Sequence, residues 1–276
     1  MAAGWLGQDV YRFNRGDGLM WIGDFEDVNT WNASYADIIQ FGPGITADDL
    51  SFRMLSDAIG GYQFARENSI EIAIKGPSDA IRVFSFSPYW FFRNGEEPGR
   101  ATTIGEIRFD DGSSMNLDQI FAVLQQSTDG DDYIRAWLEG AVLDGGAGND
   151  TVGPGDGGGV IRNVTIRYGE GSGNDRIPVL GWTTGYNHTL QFGPGITPND
   201  IKVRVIANQG SYNYSDAFET TLKSSGETLK IGHVYAGASF AFEGGQVLNT
   251  AQFAQLAVDQ QVARTGEAIQ LYNAPY

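Results

Sequence analysis

The chain has 276 residues, a formal net charge of −16, 38 glycines and no cysteine. The absence of cysteine excludes disulfides and thiolate metal sites, and the acidic excess argues against a nucleic-acid partner, whose phosphates it would repel. Hydrophobic residues make up 41%, enough for a real core rather than a disordered acidic tail, and no apolar run approaches the roughly 20 residues that span a membrane. Met1-Ala2-Ala3-Gly4-Trp5 leads directly into polar sequence without the pattern of a signal peptide. In chain order, a single helical turn is predicted at 47–50. Period-two alternation predicts strands at Ile70–Lys75, Ile81–Phe86, Val164–Tyr168, Lys202–Val205 and Leu229–Ile231. Helical spacing is confined to 116–126 (Leu117, Ile120, Phe121, Leu124) and 249–262 (Phe253, Leu256, Ala257). The expected class is all-β, with two short helices covering an end or edge of the β-structure.

Residues 145–153, Gly-Gly-Ala-Gly-Asn-Asp-Thr-Val-Gly, match the nonapeptide pattern G-G-x-G-x-D-x-U-x, with U a large apolar residue. Glycines permit a tight turn whose carbonyls face inward, Asp150 adds a carboxylate, and Val152 starts a short strand pointing into a core. Oxygen-only donors of this kind suit Ca²⁺. Two nonapeptide steps back, 127–135 again carries Gly130, Asp132 and Ile134 at the fourth, sixth and eighth positions. If successive nonapeptide turns alternate sides, turns 18 residues apart stack, and 127–132 is then expected over 145–150. The other side, 136–141 over 154–159, lacks the aspartate and is expected to be degenerate. The expected calcium ligands are the carboxylates of Asp132 and Asp150, with the carbonyls of Gly130, Gly145, Ala147 and Gly148.

The chain also contains a duplication. Gln40-Phe41-Gly42-Pro43-Gly44-Ile45-Thr46 recurs as Gln191-Phe192-Gly193-Pro194-Gly195-Ile196-Thr197. Upstream, Tyr11–Gly18 pairs with Ile166–Gly173. Downstream, Phe109-Asp110-Asp111-Gly112 pairs with Phe242-Glu243-Gly244-Gly245, each followed by a helical stretch. With the nonapeptides, this order of blocks resembles the RTX, or haemolysin-type calcium-binding, repeat proteins, with two copies of the haemolysin-type "related" domain. The resemblance implies a short parallel β-roll between two related β-rich halves: 8–126 for the first, 127–162 for the roll, 163–262 for the second, and a tail at 263–276. It further implies a Ca²⁺ cofactor and a secreted, extracellular protein exported by a type I secretion channel.

The copies differ. Copy two keeps Gly171-Ser172-Gly173-Asn174-Asp175, which marks Gly171, Gly173 and Asp175 as a second, weaker metal set. Copy one has Met20 in the place of Asp175, with Asp17 nearby to compensate. Copy one also carries an insertion at 87–105 whose Tyr89, Trp90, Phe91 and Phe92 form a candidate surface for a sugar or protein partner; the alternative is burial against the β-core. The only histidines, His188 and His233, are far apart in sequence, and no nucleophile-elbow, zincin or phosphate-loop motif is present. The expected function is therefore a non-catalytic calcium-binding module that folds on Ca²⁺ outside the cell. The alternatives are an extracellular structural or adhesive protein, by self-association or contact with a cell surface or polysaccharide, and a polysaccharide-acting enzyme bearing RTX repeats.

Overall fold

The computed structural model describes residues 8–23, 37–55, 69–76, 78–83, 104–154, 161–180, 187–206, 217–232, 234 and 237–265. The chain forms two compact units, Met1–Gln125 and Gln126–Tyr276. The stretch at 127–162 thus belongs to the same unit as 163–262.

The first unit holds β1 (Val10–Phe13), β2 (Leu19–Ile22), β3 (Asp37–Phe41), β4 (Leu50–Leu55), β5 (Ser69–Ile74), β6 (Ala80–Val83), β7 (Ile104–Arg108), β8 (Ser114–Asn116) and α1 (Leu117–Leu124). One sheet has the order β1-β3-β7-β8, the other β2-β6-β5-β4. β1, β3 and β7 pair in parallel, as do β2 and β6. The hairpin β4–β5, the β5–β6 pair and the β7–β8 pair are antiparallel. The chain passes from one sheet to the other and back, so that its parallel strands stack as layers, with the β4–β5 hairpin added to the second sheet. A single layer cannot bury its inward side chains, so the layers must stack.

The second unit repeats this plan and adds to it. Its elements are β9 (Tyr133–Arg135), β10 (Val142–Asp144), β11 (Thr151–Gly153), β12 (Thr165–Tyr168), β13 (Asp175–Ile177), β14 (Thr189–Phe192), β15 (Ile201–Ile206), β16 (Ala217–Leu222), β17 (Thr228–Ile231), β18 (Ser239–Ala241), β19 (Val247–Asn249) and α2 (Thr250–Thr265). The sheets are β10-β12-β14-β18-β19 and β15-β16-β17-β13-β11-β9. From β12 onward, every element has its counterpart in the first unit; β9, β10 and β11 are the additional layers at one end. Among the described residues, the fold is all-β with two α-helices and largely parallel sheets of the β-roll type.

Equivalent residues build both cores. Phe41 stacks on Phe109 with ring centroids 5.9 Å apart, and Phe192 on Phe242 at 4.7 Å. Thr46 opens a short helical turn in which the carboxylate of Asp49 accepts the Thr46 amide at 2.9 Å, and Asp200 does the same for Thr197 at 2.9 Å. Both helices start at a reciprocal capping box. Gln119 and Asn116 exchange amide-to-side-chain bonds at 2.8 and 3.0 Å, Gln252 and Asn249 at 2.9 Å each. In α1, Ile120, Phe121 and Leu124 are buried; in α2, Phe253 and Ala257. The side chain of Gln260 on α2 accepts the Val203 amide at 2.8 Å and donates to the Ile201 carbonyl at 3.1 Å, which satisfies open backbone groups of β15. Gly44 and Gly195 have φ of 74° and 81°, a left-handed conformation that explains the second glycine of both Phe-Gly-Pro-Gly turns.

Two sequence expectations need correction. Residues 155–160 lie outside the described residues, but β10, which follows the 136–141 turn, pairs with β12: Val142 lies opposite Thr165 and Leu143 opposite Ile166. The step on that side is therefore longer than 18 residues. Pairing follows the buried Leu143 and Ile166, the inward residues of their layers. The second helix also runs on to Thr265, past the predicted 262.

Candidate metal centre

The 18-residue step holds on the aspartate side. β9 pairs in parallel with β11, Tyr133 opposite Thr151 and Ile134 opposite Val152. This places turn 127–132 directly on turn 145–150. β11 in turn pairs with β13, so turn 171–174 is the next layer.

Two side-chain ladders run through these layers. In the inner one, the Asp132 amide donates to Asp150 Oδ1 at 2.7 Å and the Asp150 amide to Asp175 Oδ1 at 2.8 Å. Each carboxylate thus hangs from the backbone of the layer before it. Asp132, which has no such layer before it, closes on its own turn instead: its Oδ2 accepts the Thr128 amide at 2.6 Å and the Thr128 hydroxyl at 2.9 Å. In the outer ladder, Asp131 Oδ1 accepts the Asn149 amide at 2.8 Å, Asn149 Oδ1 the Asn174 amide at 3.2 Å, and Asn174 Oδ1 the Thr228 amide at 3.1 Å. The neighbours Asp131 and Asp132 therefore serve different ladders.

Glycine is required where these layers touch. A Cβ on Gly145 would collide with the Asp150 carboxylate, and one on Gly148 would lie 2.7 Å from the Gly130 carbonyl oxygen. The expected donors Gly130, Asp132, Gly145, Gly148 and Asp150 are thus brought together, Gly145 and Asp150 buried; Ala147 sits at the exposed outer corner of the turn.

The electrostatics are those of stacked acids without a counterion. Asp150 is 1% exposed, and its Oδ2 is buried with no hydrogen-bond partner. Burial pushes its carboxyl above the ordinary range, and the charges of Asp132, Asp131 and Asp144 add to this against the opposing Asp132 amide. Asp175 is pushed up to about 7, first by burial and then by Asp150, Glu227 and Asp144, with the Asp150 amide opposing. Among the described residues, no Lys or Arg pairs with Asp132, Asp150 or Asp175, and no three His, Asp or Glu side chains form a metal cluster. An ion here would be held by two carboxylates and by backbone oxygens. The residues fit a hard divalent cation: all donors are oxygen, and one buried carboxylate oxygen lacks any other partner.

The weaker set is arranged differently. The amides of Gly171 and Gly173 donate to Glu227 at 3.0 and 3.1 Å, and the Gly173 carbonyl accepts the Tyr168 hydroxyl at 3.1 Å. Asp175 is the only residue of this set on the inner ladder. In the first unit, Asp17 accepts the Asn14 amide at 2.7 Å and so closes its own turn. Asp79 there plays the part of Glu227, accepting the amides of Gly16 at 2.8 Å and Gly18 at 2.9 Å. Neither Asp79 nor Glu227 stood out in the sequence, although each lies four residues after a matching lysine, Lys75 or Lys223. The first unit also holds an unforeseen aspartate contact, the Asp9 amide to Asp37 Oδ1 at 2.8 Å. The corresponding contact in the second unit is the Val164 amide to His188 Nδ1 at 3.3 Å. Tyr89, Trp90, Phe91 and Phe92 lie outside the described residues, as does His233.

No family model matches the chain. Over 130 residues, 45% of the chain, it is 35% identical to the iron-regulated protein FrpA of Neisseria meningitidis serogroup C. It covers 10% of the length of that relative. Among solved structures, the extracellular lipase LipA of Serratia marcescens aligns with 85% of the chain and 38% of its own, at 13% identity and a TM-score of 0.24.

Proposed function

We propose that the chain is a non-catalytic, calcium-binding module of a secreted bacterial RTX-type protein, which completes its folding on Ca²⁺ outside the cell after type I export. The observation that carries this reading is the Asp150 carboxylate, buried in an aspartate ladder with one oxygen lacking a partner. The ion would be held by Asp132, Asp150 and backbone oxygens of Gly130, Gly145 and Gly148, with Asp175 on the next layer as a weaker site. Bound there, it supplies the positive charge that the stacked carboxylates lack. An affinity of about 10⁻⁴–10⁻³ M, as in extracellular modules, leaves the site empty in the cytoplasm and filled outside.

Calorimetric titration of the full chain with CaCl₂ tests this, with Asp150→Asn as the control that keeps size and removes charge. The expected result is saturable heat that the variant loses. Equal heats in both proteins would overturn the site.

A further inference from the structure

The two units share a feature that lies outside the nonapeptides. Each has a β-hairpin, β5–β6 or β16–β17, whose last strand pairs in parallel with the strand after a Gly-x-Gly turn: β2 in the first unit, β13 in the second. The register places an acid from the hairpin loop directly over that turn. Asp79 accepts the amides of Gly16 and Gly18 at 2.8 and 2.9 Å; Glu227 accepts those of Gly171 and Gly173 at 3.0 and 3.1 Å. Glycines with φ of 92°, 73°, 84° and 83° turn both amides of each pair to the same side, which makes a small anion-binding concavity.

Asp79 is buried at 4% exposure. Burial works against the charge of Glu227, yet the Ser225 hydroxyl and the two glycine amides hold its carboxyl below the usual range. The opposite holds for Asp150 and Asp175 on the aspartate ladder, where burial and neighbouring like charges push the carboxyls up although each accepts an amide from the preceding layer. The amides of the 145–150 turn meet no hairpin acid: that of Gly146 turns to Asp144 of its own strand end, at 3.2 Å.

We propose that Asp79 and Glu227 are built-in anionic caps, positioning residues that close the Gly-x-Gly turn after the first strand of each copy without a cation and so set where dependence on calcium ends. Only the final clause rests on the calcium reading; closure of the turn by the hairpin acid does not. The duplication supports it: Asp and Glu differ in length, yet each reaches the same two amides. A charged acceptor shared by two N–H donors makes bonds stronger than neutral ones.

Hydrogen exchange of the full chain, in chelator and in saturating CaCl₂, tests the proposal in wild type, Glu227→Ala and Asp79→Asn. In wild type, amides 171–177 and 16–22 should stay protected in chelator. Glu227→Ala should speed exchange at 171–177 in chelator by about tenfold to a hundredfold, with β15 and the α2 helix little changed. Asp79→Asn should do the same at 16–22 and provides the test should Glu227→Ala fail to fold. Unchanged exchange at the turn, or a loss spread evenly over the unit, would overturn the cap. A wild type indifferent to calcium everywhere would overturn the calcium reading and leave the chelator comparison, and hence the cap, standing or falling by itself.

Discussion

The two units are the same plan executed twice, and they differ most where charge is buried. In the second unit, Asp132, Asp150 and Asp175 form a continuous ladder, accompanied by Asp131, Asn149, Asn174 and Thr228. The first unit has Leu19 and Met20 where the second has Asn174 and Asp175, so both ladders are absent at that layer. On the other sheet the difference is reversed: Asp37 of the first unit faces the amide of Asp9, and the second unit has His188 and Val164 there. What stays constant is the apolar interior, the capping boxes and the hairpin acid. The fold therefore needs the aromatic core and the caps in both copies, whereas stacked aspartates are an addition carried by one of them.

The core contrast should give the largest effect. Phe253 of α2 is 0% exposed and contacts Phe240 at 3.8 Å, Phe218 at 5.4 Å and Phe192 at 6.4 Å between ring centroids. Ile120 occupies the matching helix position in the first unit, four residues after the capping Asn116. Phe253→Ala is expected to cost about 3–5 kcal/mol, against about 2–5 kcal/mol for Ile120→Ala. Urea unfolding followed by fluorescence measures both. A smaller cost for Phe253→Ala would mean the second unit does not depend more on its aromatic cluster.

Calcium comes next. At a concentration roughly 100-fold above a dissociation constant of about 10⁻⁴ M, binding to the native state adds about 2.7 kcal/mol. Thermal unfolding with and without CaCl₂ should show this stabilisation for wild type and lose it in Asp150→Asn. Met20→Leu, at the matching place in the first unit, should leave it unchanged. A calcium response that survives Asp150→Asn would move the site away from the ladder.

How much of this was legible in the sequence follows from what each signal measures. The 18-residue step located Asp132 over Asp150 because both turns keep glycine and aspartate at the positions that touch. It failed at 136–141, since stacking follows the inward Leu143 and Ile166, and a fixed period cannot foresee a longer connection. The duplicated Phe-Gly-Pro-Gly blocks revealed the shared core, including the stacked Phe41–Phe109 and Phe192–Phe242 pairs. Asp79 and Glu227 were invisible because an isolated acid in a hairpin loop looks like any solvated charge until the parallel pairing brings it over two glycine amides. Two histidines far apart in sequence suggest no metal or triad motif, yet the fold gives His188 a structural part, in which its Nδ1 accepts the Val164 amide.

That histidine predicts a difference in pH response between the copies. His188 is 3% exposed, and burial lowers its pKa to about 4. The native state therefore disfavours the charged form more than the unfolded chain, whose histidine titrates near 6.5. Its contribution to stability is complete above about pH 6.5 and is lost as pH falls toward 4. His188→Gln should remove this slope and, relative to wild type, gain about 1–2 kcal/mol between pH 7 and pH 5. The difference between the two proteins at each pH isolates His188, because the ladder carboxylates titrate alike in both. Parallel stability curves would show that the histidine is not buried as a neutral ring.

The smallest expected difference lies on the hairpin sheets. In the first unit, Glu71 faces Arg53 and Arg82 across β4 and β6, with nitrogen–oxygen distances of 2.6 and 2.7 Å. In the second, Glu219 faces Arg204 at 2.7 Å, and Lys230 lies opposite on β17. Burial opposes the charge of Glu71, but the two guanidinium groups hold its carboxyl below the usual range. Its stabilisation is thus present above about pH 4.3 and is lost as pH falls through the native value. The side chain of Glu71 is 10% exposed and that of Glu219 19%, so the first pair is less screened by water. Glu71→Gln should cost about 1 kcal/mol at pH 7 and less at pH 2, and Glu219→Gln about half as much, because Arg82 bonds Glu71 directly where Lys230 only faces Glu219. Urea denaturation of both variants at the two pH values decides the matter. Equal costs would mean that the second guanidinium adds nothing, and the two sheets would then be equivalent in charge as they already are in register.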